Sequence, residues 1–387
     1  MIPLKVSGKT SNIVETLVGR VPRNIKDIDE HSILIYDREM PSNNFFKSLV
    51  AVISTKSDYN FPNNKPFIHS IPDLSHLFEG DIIKIDPKGN INSLFRINSR
   101  HNYILVTERC NCKCLMCSQL PKLKDDIKYL FNVNKKLIPL IPKDCKILGI
   151  TGGEPTLLGD KFFELLNLIT YELPQTEIHI LSNGRNFSSL RFTKNLSEIN
   201  TDKISFGIPL YADYYALHDY IVQAKSAFKE TVLGIHNLAR MNQKIEIRIV
   251  LHKLSISRLE KLAKYIYKNL PFVIHVAFMG LENTGFTPYN IDLLWVDPYS
   301  YMDKLKDSVI YLDSVGINVS IYNLQLCIMP KELWRFARQS ISDWKNIFLN
   351  KCSSCYMISQ CSGFFASSKD IHSQYINPII LEPELDA

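Results

Sequence analysis

Three cysteines within one short segment constrain this chain more than any other feature of its sequence. Cys110, Cys114 and Cys117 form a C-x3-C-x2-C motif just after an apolar run that predicts a buried strand at 103–107. Three thiolates on one loop can hold three irons of a cubic [4Fe–4S] cluster, and the fourth iron is then free to bind another ligand. We therefore expect these three cysteines to be metal ligands of a cluster with one open iron.

Zinc is the alternative metal, because closely spaced cysteines in a cytosolic chain often bind it. A structural zinc site usually takes four ligands as two separated pairs, and no further Cys or His lies close downstream of Cys117. Cys112 also lies within the loop. Its spacing indicates a bystander thiol, although its sulfur could ligate if one of the other three were lost.

A glycine-rich motif follows one predicted helix, at 122–136, and one predicted strand, at 146–151. Paired glycines let the backbone approach a ligand closely, because no Cβ intervenes. The carboxylate beside them can pair with an ammonium group, and the proline after it can begin a helix. The candidate binding residues of this motif are Gly152, Gly153, Glu154 and Pro155.

With both motifs in this order, the chain resembles the radical S-adenosylmethionine (SAM) superfamily over roughly residues 100 to 365. The resemblance implies an open-site [4Fe–4S] cluster on the cysteine triplet and reductive cleavage of SAM to a 5′-deoxyadenosyl radical. It also implies that the glycine-rich motif binds the amino group of the methionine moiety. Met116 stands where the superfamily usually has an aromatic residue beside the adenine, and its thioether can pack on that ring.

Strand and helix patterns alternate from residue 100 to 316, which predicts an α/β fold with a parallel sheet and helices outside it. Right-handed crossovers roll such a sheet into a barrel or part of one, and the family fold is a partial (β/α)6 barrel of the TIM type. The predicted strands are 103–107, 146–151, 177–181, 203–208, 245–251 and 272–279, and the predicted helices include 122–136, 161–171, 226–241, 255–269 and 298–314.

Polar residues on the later strands are candidates for binding the cofactor, because active sites gather at the C-terminal ends of parallel strands. Ser205 matches the serine of an S-L-D-G segment in many peptide-modifying members. Gly207 replaces the aspartate of that segment, which puts the role of the aspartate in doubt. Arg248 could pair with the methionine carboxylate or face solvent at a strand end. Asn183 could bind the cofactor or be a turn residue before glycine.

A second group of cysteines lies toward the end of the sequence: Cys327, Cys352, Cys355 and Cys361. Four thiolates can fully coordinate a [4Fe–4S] cluster or one zinc ion. The last three form C-x2-C-x5-C, which resembles the auxiliary-cluster region (twitch/SPASM type) of peptide-maturing radical enzymes. Phe365 stands where the longer form has a further cysteine, so we expect one auxiliary cluster, with zinc as the alternative. Cys112 and Cys145 are interpreted as free thiols.

Several segments resemble the His-Xaa-Ser system maturases, which are predicted to modify a small peptide or repeat protein. The resemblance implies a peptide substrate, an electron donor of the flavodoxin or ferredoxin type, and a possible partner maturase. His218 and Asp219 could form an acid/base dyad or a helix cap, where aspartate is common. The segments that carry the resemblance are 107–110, 114–119, 208–213, 218–219 and 361–365.

Composition favours a globular, cytoplasmic protein. Hydrophobic residues make up 45% and charged residues 22% of the chain, which is typical of a packed core. Most of the nine cysteines fall in two clusters, unlike a secreted disulfide framework. No run predicts a membrane span or a signal peptide, and a net charge of +6 does not require nucleic acid.

Three parts are predicted. Residues 1–98 form a β-rich domain with a hairpin at 80–92 and a loop near 58–72; it could dock a leader peptide or cover the barrel. Residues 99–316 form the radical SAM core, and 317–387 form a cysteine-rich extension.

The expected function is radical SAM peptide maturation. A reduced cluster gives one electron to SAM, and the adenosyl radical removes a hydrogen from a peptide residue over the barrel mouth. The substrate radical forms a new bond or loses a second electron, which the auxiliary cluster could accept. A radical enzyme acting on a small molecule is the alternative within this class. A zinc-bound scaffold for peptide or RNA would explain the cysteines but not the glycine-rich motif or the six βα units.

Overall fold

The structure is a computed structural model that describes residues 2–22, 27–36, 49–57, 65–199, 202–339 and 342–380. Its strands are β1 (Lys5–Ser7), β2 (Lys9–Ser11), β3 (Leu17–Arg20), β4 (Ile33–Ile35), β5 (Ala51–Ile53), β6 (Phe67–His69), β7 (Ile82–Ile85), β8 (Asn90–Phe95), β9 (Asn102–Leu105), β10 (Ile147–Thr151), β11 (Glu177–Leu181), β12 (Ile204–Pro209), β13 (Lys244–Leu251), β14 (His275–Gly280), β15 (Asn318–Tyr322), β16 (Ala337–Arg338), β17 (Asn346–Ile347) and β18 (Phe364–Phe365). Its α-helices are α1 (Ile127–Leu137), α2 (Asp160–Glu172), α3 (Leu190–Lys194), α4 (Tyr215–Val222), α5 (Ala227–Arg240), α6 (Lys253–Ile256), α7 (Leu259–Asn269), α8 (Ile291–Leu294) and α9 (Met302–Ser314).

The N-terminal part contains two four-stranded sheets, with the strand orders β1-β8-β7-β3 and β2-β6-β5-β4. The predicted hairpin is confirmed, because β7 and β8 pair antiparallel and Asp86 in their turn accepts from Asn90 N at 3.0 Å. The loop prediction near 58–72 is wrong at β6, where Phe67 and Ile68 are buried in apolar clusters of this part of the chain. Residues 58–64 lie outside the described residues.

The central part is one curled parallel sheet of eight strands, ordered β9 to β16 in chain sequence. The six predicted strands correspond to β9–β14, and helices α2, α5, α7 and α9 fall between successive strands. The predicted count of six strands is too low. Residues 318–322 alternate around Val319 and Ile321 and extend the sheet beside β14, so the sheet continues past residue 316.

Helix α1 begins at Ile127, five residues later than predicted. The residues just before α1 are held by hydrogen bonds to the segment that follows β9, and they do not join the helix. Asp126 accepts from Thr107 Oγ1 at 2.6 Å and from Glu108 N at 2.8 Å, and Lys122 N donates to Glu108 O at 2.8 Å. These contacts fix the strand end from which the cysteine loop starts.

The strands separate an apolar outer face from a lumen with charged side chains, because successive residues of a strand point to opposite faces. In β13, Ile245, Ile247 and Ile249 pack in the main core against the helices. Glu246 and Arg248, between them, line a cavity on the inner side of the curled sheet. The lumen of this half-barrel therefore contains charged side chains, and its upper part reaches the edge where the motif loops lie.

The C-terminal extension folds back onto both other parts. Its strands β17 and β18 pair antiparallel, and Trp344, just before β17, accepts a hydrogen bond from Ile2 N at 3.0 Å. Lys345 forms an ion pair with Glu282, which follows β14, at 2.6 Å. Among the described helices, none combines the length and apolarity needed to cross a membrane.

Candidate functional site

The cysteine loop, the glycine-rich motif and the turn after β11 meet at the C-terminal edge of the sheet. Gly153 N donates to Thr107 O and Glu154 N donates to Arg109 O, each at 2.8 Å. Asn183, after β11, donates from its backbone N–H to Glu154 Oε2 at 2.6 Å. Because β9, β10 and β11 are parallel neighbours, their carboxyl ends bring these three loops together.

Gly152 and Gly153 lie against the backbone of the cysteine loop. A Cβ at Gly152 would lie 2.5 Å from Thr107 O, and a Cβ at Gly153 would lie 2.1 Å from Arg109 O. No real Cβ tolerates such distances from backbone atoms. The two glycines therefore form a cradle for the cysteine loop itself, in addition to any ligand that the motif binds.

Glu154 is completely buried and lies at the centre of this edge. Its Oε1 accepts from Thr156 N at 3.0 Å, from the Thr156 hydroxyl, and from Ser182 Oγ at 2.7 Å. Its Oε2 accepts only from Asn183 N among the described residues. Burial raises the pKa of Glu154, and these hydrogen bonds oppose that shift. Oε2 thus keeps acceptor capacity for a further donor, which is what an ammonium partner requires.

The loop cysteines are free thiols with different surroundings. Cys110, Cys114 and Cys117 are partly buried, and Cys117 Sγ donates to Gln119 O at 2.8 Å. Cys112 is buried between its neighbours. Hydrogen bonds from the Cys110 and Cys114 thiols, and then from the Arg185 guanidinium, hold the pKa of Cys112 at about 3. The predicted bystander therefore lies among the predicted ligands.

The donor set of the loop fits an iron–sulfur cluster. Three thiols lie on one loop, the glycine cradle supports that loop, and Arg185 provides a cation beside it by donating to Asn111 O at 2.6 Å. In the described residues the side chains do not form a preassembled group of three or more metal ligands. The fit rests on the chemistry of the donors and on the cradle, and the roles of Cys110, Cys114 and Cys117 stay predictions.

Two further predicted residues lie beside this loop. Met116 is buried in an apolar cluster with Leu115, Tyr211 and Ile221. Asn183 is a turn residue, because its Oδ1 accepts from Arg185 N at 3.0 Å. Its Nδ2 also donates to the cysteine loop, at Asn111 Oδ1, over 2.6 Å. Both residues hold the loop in place, and their contact with a cofactor stays a prediction.

Ser205 and Arg248 lie in the lumen. The expectation that Ser205 lies at the C-terminal end of its strand is wrong, because Ser205 is the second residue of β12. It donates to Ile178 O at 3.4 Å and lines the lower part of the lumen. Arg248 forms an ion pair with Glu246 at 2.7 Å, and its side chain is only 15% exposed. The alternative of a solvent-facing arginine at a strand end is therefore wrong for Arg248.

His218 and Asp219 have separate partners. Asp219 accepts from Ser226 N and Phe228 N, each at 2.7 Å, at the start of α5. His218 is buried, and its Nδ1 accepts from Tyr211 N at 3.3 Å. These contacts match the helix-cap interpretation, and an acid/base role for the pair stays a prediction.

Sequence reasoning missed residues that hold the site through hydrogen bonds. Thr156 and Ser182 bind Glu154, and Arg185 binds the cysteine loop. It also missed His179 and Glu246, whose lumen-facing position could be found from strand alternation. Polar residues at every second place of an otherwise apolar strand were the available signal.

The C-terminal cysteines converge on one small cavity. Cys327 follows β15, and Cys352, Cys355 and Cys361 follow β17, yet all four line the same space. Burial raises the pKa of the Cys327 and Cys361 thiols. Four thiols around one cavity fit either metal expected here, a [4Fe–4S] cluster or zinc.

His252 gives the fold a sensitivity to acid. It is buried at the start of α6, where its Nδ1 accepts from Ser255 N at 3.3 Å, and burial lowers the pKa of His252 to about 3. As pH falls, the His252 ring therefore binds a proton in the unfolded chain before it does so in the folded protein. The contribution of the neutral, buried ring to the free energy of unfolding is present above the unfolded pKa and is lost as pH falls. Between about pH 7.5 and about pH 5.5 we expect a loss of about 1.4 kcal/mol from this group.

The variant His252→Asn keeps an N-cap acceptor but has no titrating ring. Urea unfolding at the two pH values should therefore show a smaller loss for this variant than for the native chain. An equal loss in both proteins would contradict the assignment to His252.

Comparison with known protein families gives a match for the part of the chain that forms this edge. Residues 104–266 match the family model described as the Radical SAM superfamily. This segment contains the second half of β9, the cysteine loop, the glycine-rich motif and strands β10 to β13. This segment is therefore similar to the Radical SAM superfamily, although the match covers less than half of the chain.

Among solved structures, the chain is similar to SuiB of Streptococcus suis bound to S-adenosylmethionine, with 17% identity and a TM-score of 0.49 over 70% of this chain and 64% of that chain. It is also similar to SuiB bound to its precursor peptide SuiA, with 16% identity and a TM-score of 0.46 over 58% and 49%. A third structure is anSMEcpe with bound AdoMet and the Kp18Cys peptide, with 15% identity and a TM-score of 0.48 over 72% and 92%. The match spans about half to two thirds of the SuiB chains. A search of curated proteins finds no match.

Proposed function

We propose that the chain is a radical SAM maturase that modifies a peptide or small protein of the His-Xaa-Ser type. The convergence of the four C-terminal cysteines on one cavity carries this proposal. It supports an auxiliary cluster in a short extension of the core, which is the arrangement that the sequence resemblance to peptide maturases implies.

The residues at the sheet edge have distinct roles in this proposal. Cys110, Cys114 and Cys117 would hold the open-site cluster. When bound, that cluster and SAM together supply a 5′-deoxyadenosyl radical able to take hydrogen from an unactivated carbon. The free side of Glu154 Oε2 would accept from the ammonium of the methionine moiety. Asn183 and Arg185 would hold the loop and reduce its flexibility.

A chamber of about 420 Å³ in the upper lumen would take the substrate residue. Its lining comes from three parts of the chain: Leu4 and Ser93 from the N-terminal part, Met279 from the sheet, and Trp344 and Phe365 from the extension. This shared lining favours a cover over the barrel as the role of residues 1–98. The predicted parts 1–98, 99–316 and 317–387 would then close one chamber together.

The test compares two cysteine variants after anaerobic reconstitution. The native chain should bind about eight iron and eight sulfide atoms. Cys355→Ala should lose about four of each while still cleaving SAM. The native chain is incubated with SAM, reductant and a synthetic His-Xaa-Ser repeat peptide. The mass of the peptide should then decrease by the mass of the hydrogen atoms lost, whereas Cys355→Ala should leave the mass of the peptide unchanged.

Cys145→Ala is the matched control, because Cys145 is also a partly buried free thiol. Within the described part of the chain, its Sγ donates only to Ile147 O, at 3.5 Å. Its iron content and product should equal those of the native chain. About four iron with one zinc would make the C-terminal site structural. SAM cleavage stimulated by a small molecule but by no peptide would refute the peptide substrate.

The proposal includes a low-potential electron donor of the flavodoxin or ferredoxin type and a partner maturase, in a reducing cytoplasm. Replacing the chemical reductant by reduced flavodoxin should sustain SAM cleavage if this donor is correct.

A further inference from the structure

The loop that joins β14 to α8 (residues 281–290, the bridging loop) contacts the cysteine loop at two backbone carbonyls. Phe286 N donates to Cys117 O at 2.9 Å, and Asn290 Nδ2 donates to Leu115 O at 2.9 Å. The glycine-rich motif binds the start of the cysteine loop, whereas these two bonds hold its end. The bridging loop is therefore the second support of the cysteine loop.

Gly285 allows the bridging loop to lie directly against the cysteine loop. It has φ +64°, and a Cβ at this position would lie 2.1 Å from Cys117 O and 2.7 Å from Ser118 C. These are backbone atoms, so only glycine fits here. Because no side chain separates the two loops, a displacement of the bridging loop must change the position of the backbone at Cys117.

The bridging loop also binds the C-terminal extension. Asn283 Nδ2 donates to Ile371 O at 3.1 Å and to Ser368 Oγ at 3.4 Å. Glu282 forms an ion pair with Lys345 at 2.6 Å, and both side chains are largely buried. One loop of ten residues thus contacts the cysteine loop with one part and the extension with the other.

The segment that Asn283 binds continues to the cavity of the four C-terminal cysteines. This tail segment, residues 368–379, ends at Ile379, whose N donates to Cys355 Sγ at 3.3 Å. The carbonyl of Ile379 accepts from Tyr356 N at 2.9 Å, and residues 376–379 line the same cavity as the four thiols. A continuous series of contacts therefore runs from these thiols through the tail segment and the bridging loop to the cysteine loop.

We propose that Asn283 is a positioning residue through which a metal at the four C-terminal cysteines stabilises the cysteine loop. The inference rests on the proposed function, because it takes a metal at those cysteines and an open-site cluster on the cysteine loop. Metal ligands fix the backbone segments that carry or contact them. Ile379 brings this order into the tail segment, and the hydrogen bonds of Asn283 pass it to the bridging loop. Filling the C-terminal site should therefore favour the loop geometry that binds SAM.

The test is a double-mutant cycle on the reconstituted full chain. Its members are the native chain, Cys352→Ala, Asn283→Ala and the double variant. Cys352→Ala removes one thiol from the C-terminal site but leaves the contact between Ile379 and Cys355 in place. Iron and zinc per chain verify that this variant lacks only the C-terminal metal. The readouts are the dissociation constant of SAM, from anaerobic equilibrium dialysis, and hydrogen exchange of the amides at 113–119.

Each single variant should weaken SAM binding by about fivefold, the lower end of typical coupling between sites. Each should also speed hydrogen exchange at 113–119, because the end of the cysteine loop is less firmly held. The double variant should bind SAM no more weakly than the weaker single variant, since both changes interrupt the same series of contacts. Two independent effects would instead multiply to about twenty-fivefold.

Asn318→Ala is the matched control, because Asn318 Nδ2 donates to Ile274 O at 3.2 Å. It loses the same kind of hydrogen bond, but neither residue belongs to the tail segment, the bridging loop or the cysteine loop. Its SAM affinity and its exchange at 113–119 should equal those of the native chain.

SAM affinity equal to that of the native chain in either single variant, or a multiplied effect in the double variant, would overturn the role of Asn283. A cycle that behaves as expected in a chain that modifies no peptide would support the coupling and refute the peptide substrate. A native chain without metal at the four C-terminal cysteines would refute the auxiliary site and the coupling together, and metal analysis detects this case directly.

Discussion

Cys114→Ala is expected to abolish reductive cleavage of SAM and to remove about four iron atoms per chain. The loop is anchored on both sides of this residue, because Lys113 N donates to Val222 O at 3.1 Å and Leu115 N donates to Ile221 O at 2.9 Å. Loss of the thiol should therefore leave the loop in place while removing one ligand. The measurements are iron per chain and 5′-deoxyadenosine formed with a chemical reductant.

Cys145→Ala tests whether any cysteine loss has this effect, and it should keep both iron and cleavage. Cys112 needs a separate test, because its sulfur lies beside those of Cys110 and Cys114. If Cys114→Ala kept its iron, Cys112 would be a replacement ligand, and the double variant with Cys112→Ala should then lose it. Retained iron and cleavage in the double variant would refute the cluster site on this loop.

The features that were predicted correctly are those that depend on residues close together in the sequence. The cysteine motif, the glycine-rich motif and the alternation of strands and helices each depend on neighbouring residues, and the family match covers the same segment. The hairpin of β7 and β8 was likewise predictable from alternation around a turn. The start of α1 was not, because Asp126 bonds to Thr107 and Glu108, which are distant in sequence.

The contents of the lumen were also hidden from sequence reasoning. Arg248 was predicted to face a cofactor or solvent, but its partner Glu246 is recognisable only once β13 is known to present both side chains inward. His179 and His275 join this group from β11 and β14, through pairing across the sheet. Such contacts depend on register and curvature, which a single sequence does not display. The buried hydrogen bond between Ser182 and Glu154 also joins residues that are distant in sequence.

Gly153→Ala is expected to lower SAM cleavage by about a hundredfold or more, because small displacements of catalytic groups have effects of that size. The new methyl carbon would lie 2.1 Å from Arg109 O, 2.4 Å from Arg109 C and 3.0 Å from Cys110 N. These are backbone atoms, so the cysteine loop must move away from the glycine-rich motif. Overpacking of this kind should also reduce the free energy of unfolding by roughly 1–3 kcal/mol.

Gly159→Ala separates crowding from the general effect of replacing a glycine near this motif. Gly159 has φ +60° and ψ −130°, so alanine is strained there by about 1–3 kcal/mol, yet nothing lies within 4 Å of its added Cβ. The two variants should lose similar stability, but only Gly153→Ala should lose cleavage and SAM affinity. Equal activity in both would mean that the cysteine loop tolerates displacement, and the cradle would then have no part in positioning the cluster ligands.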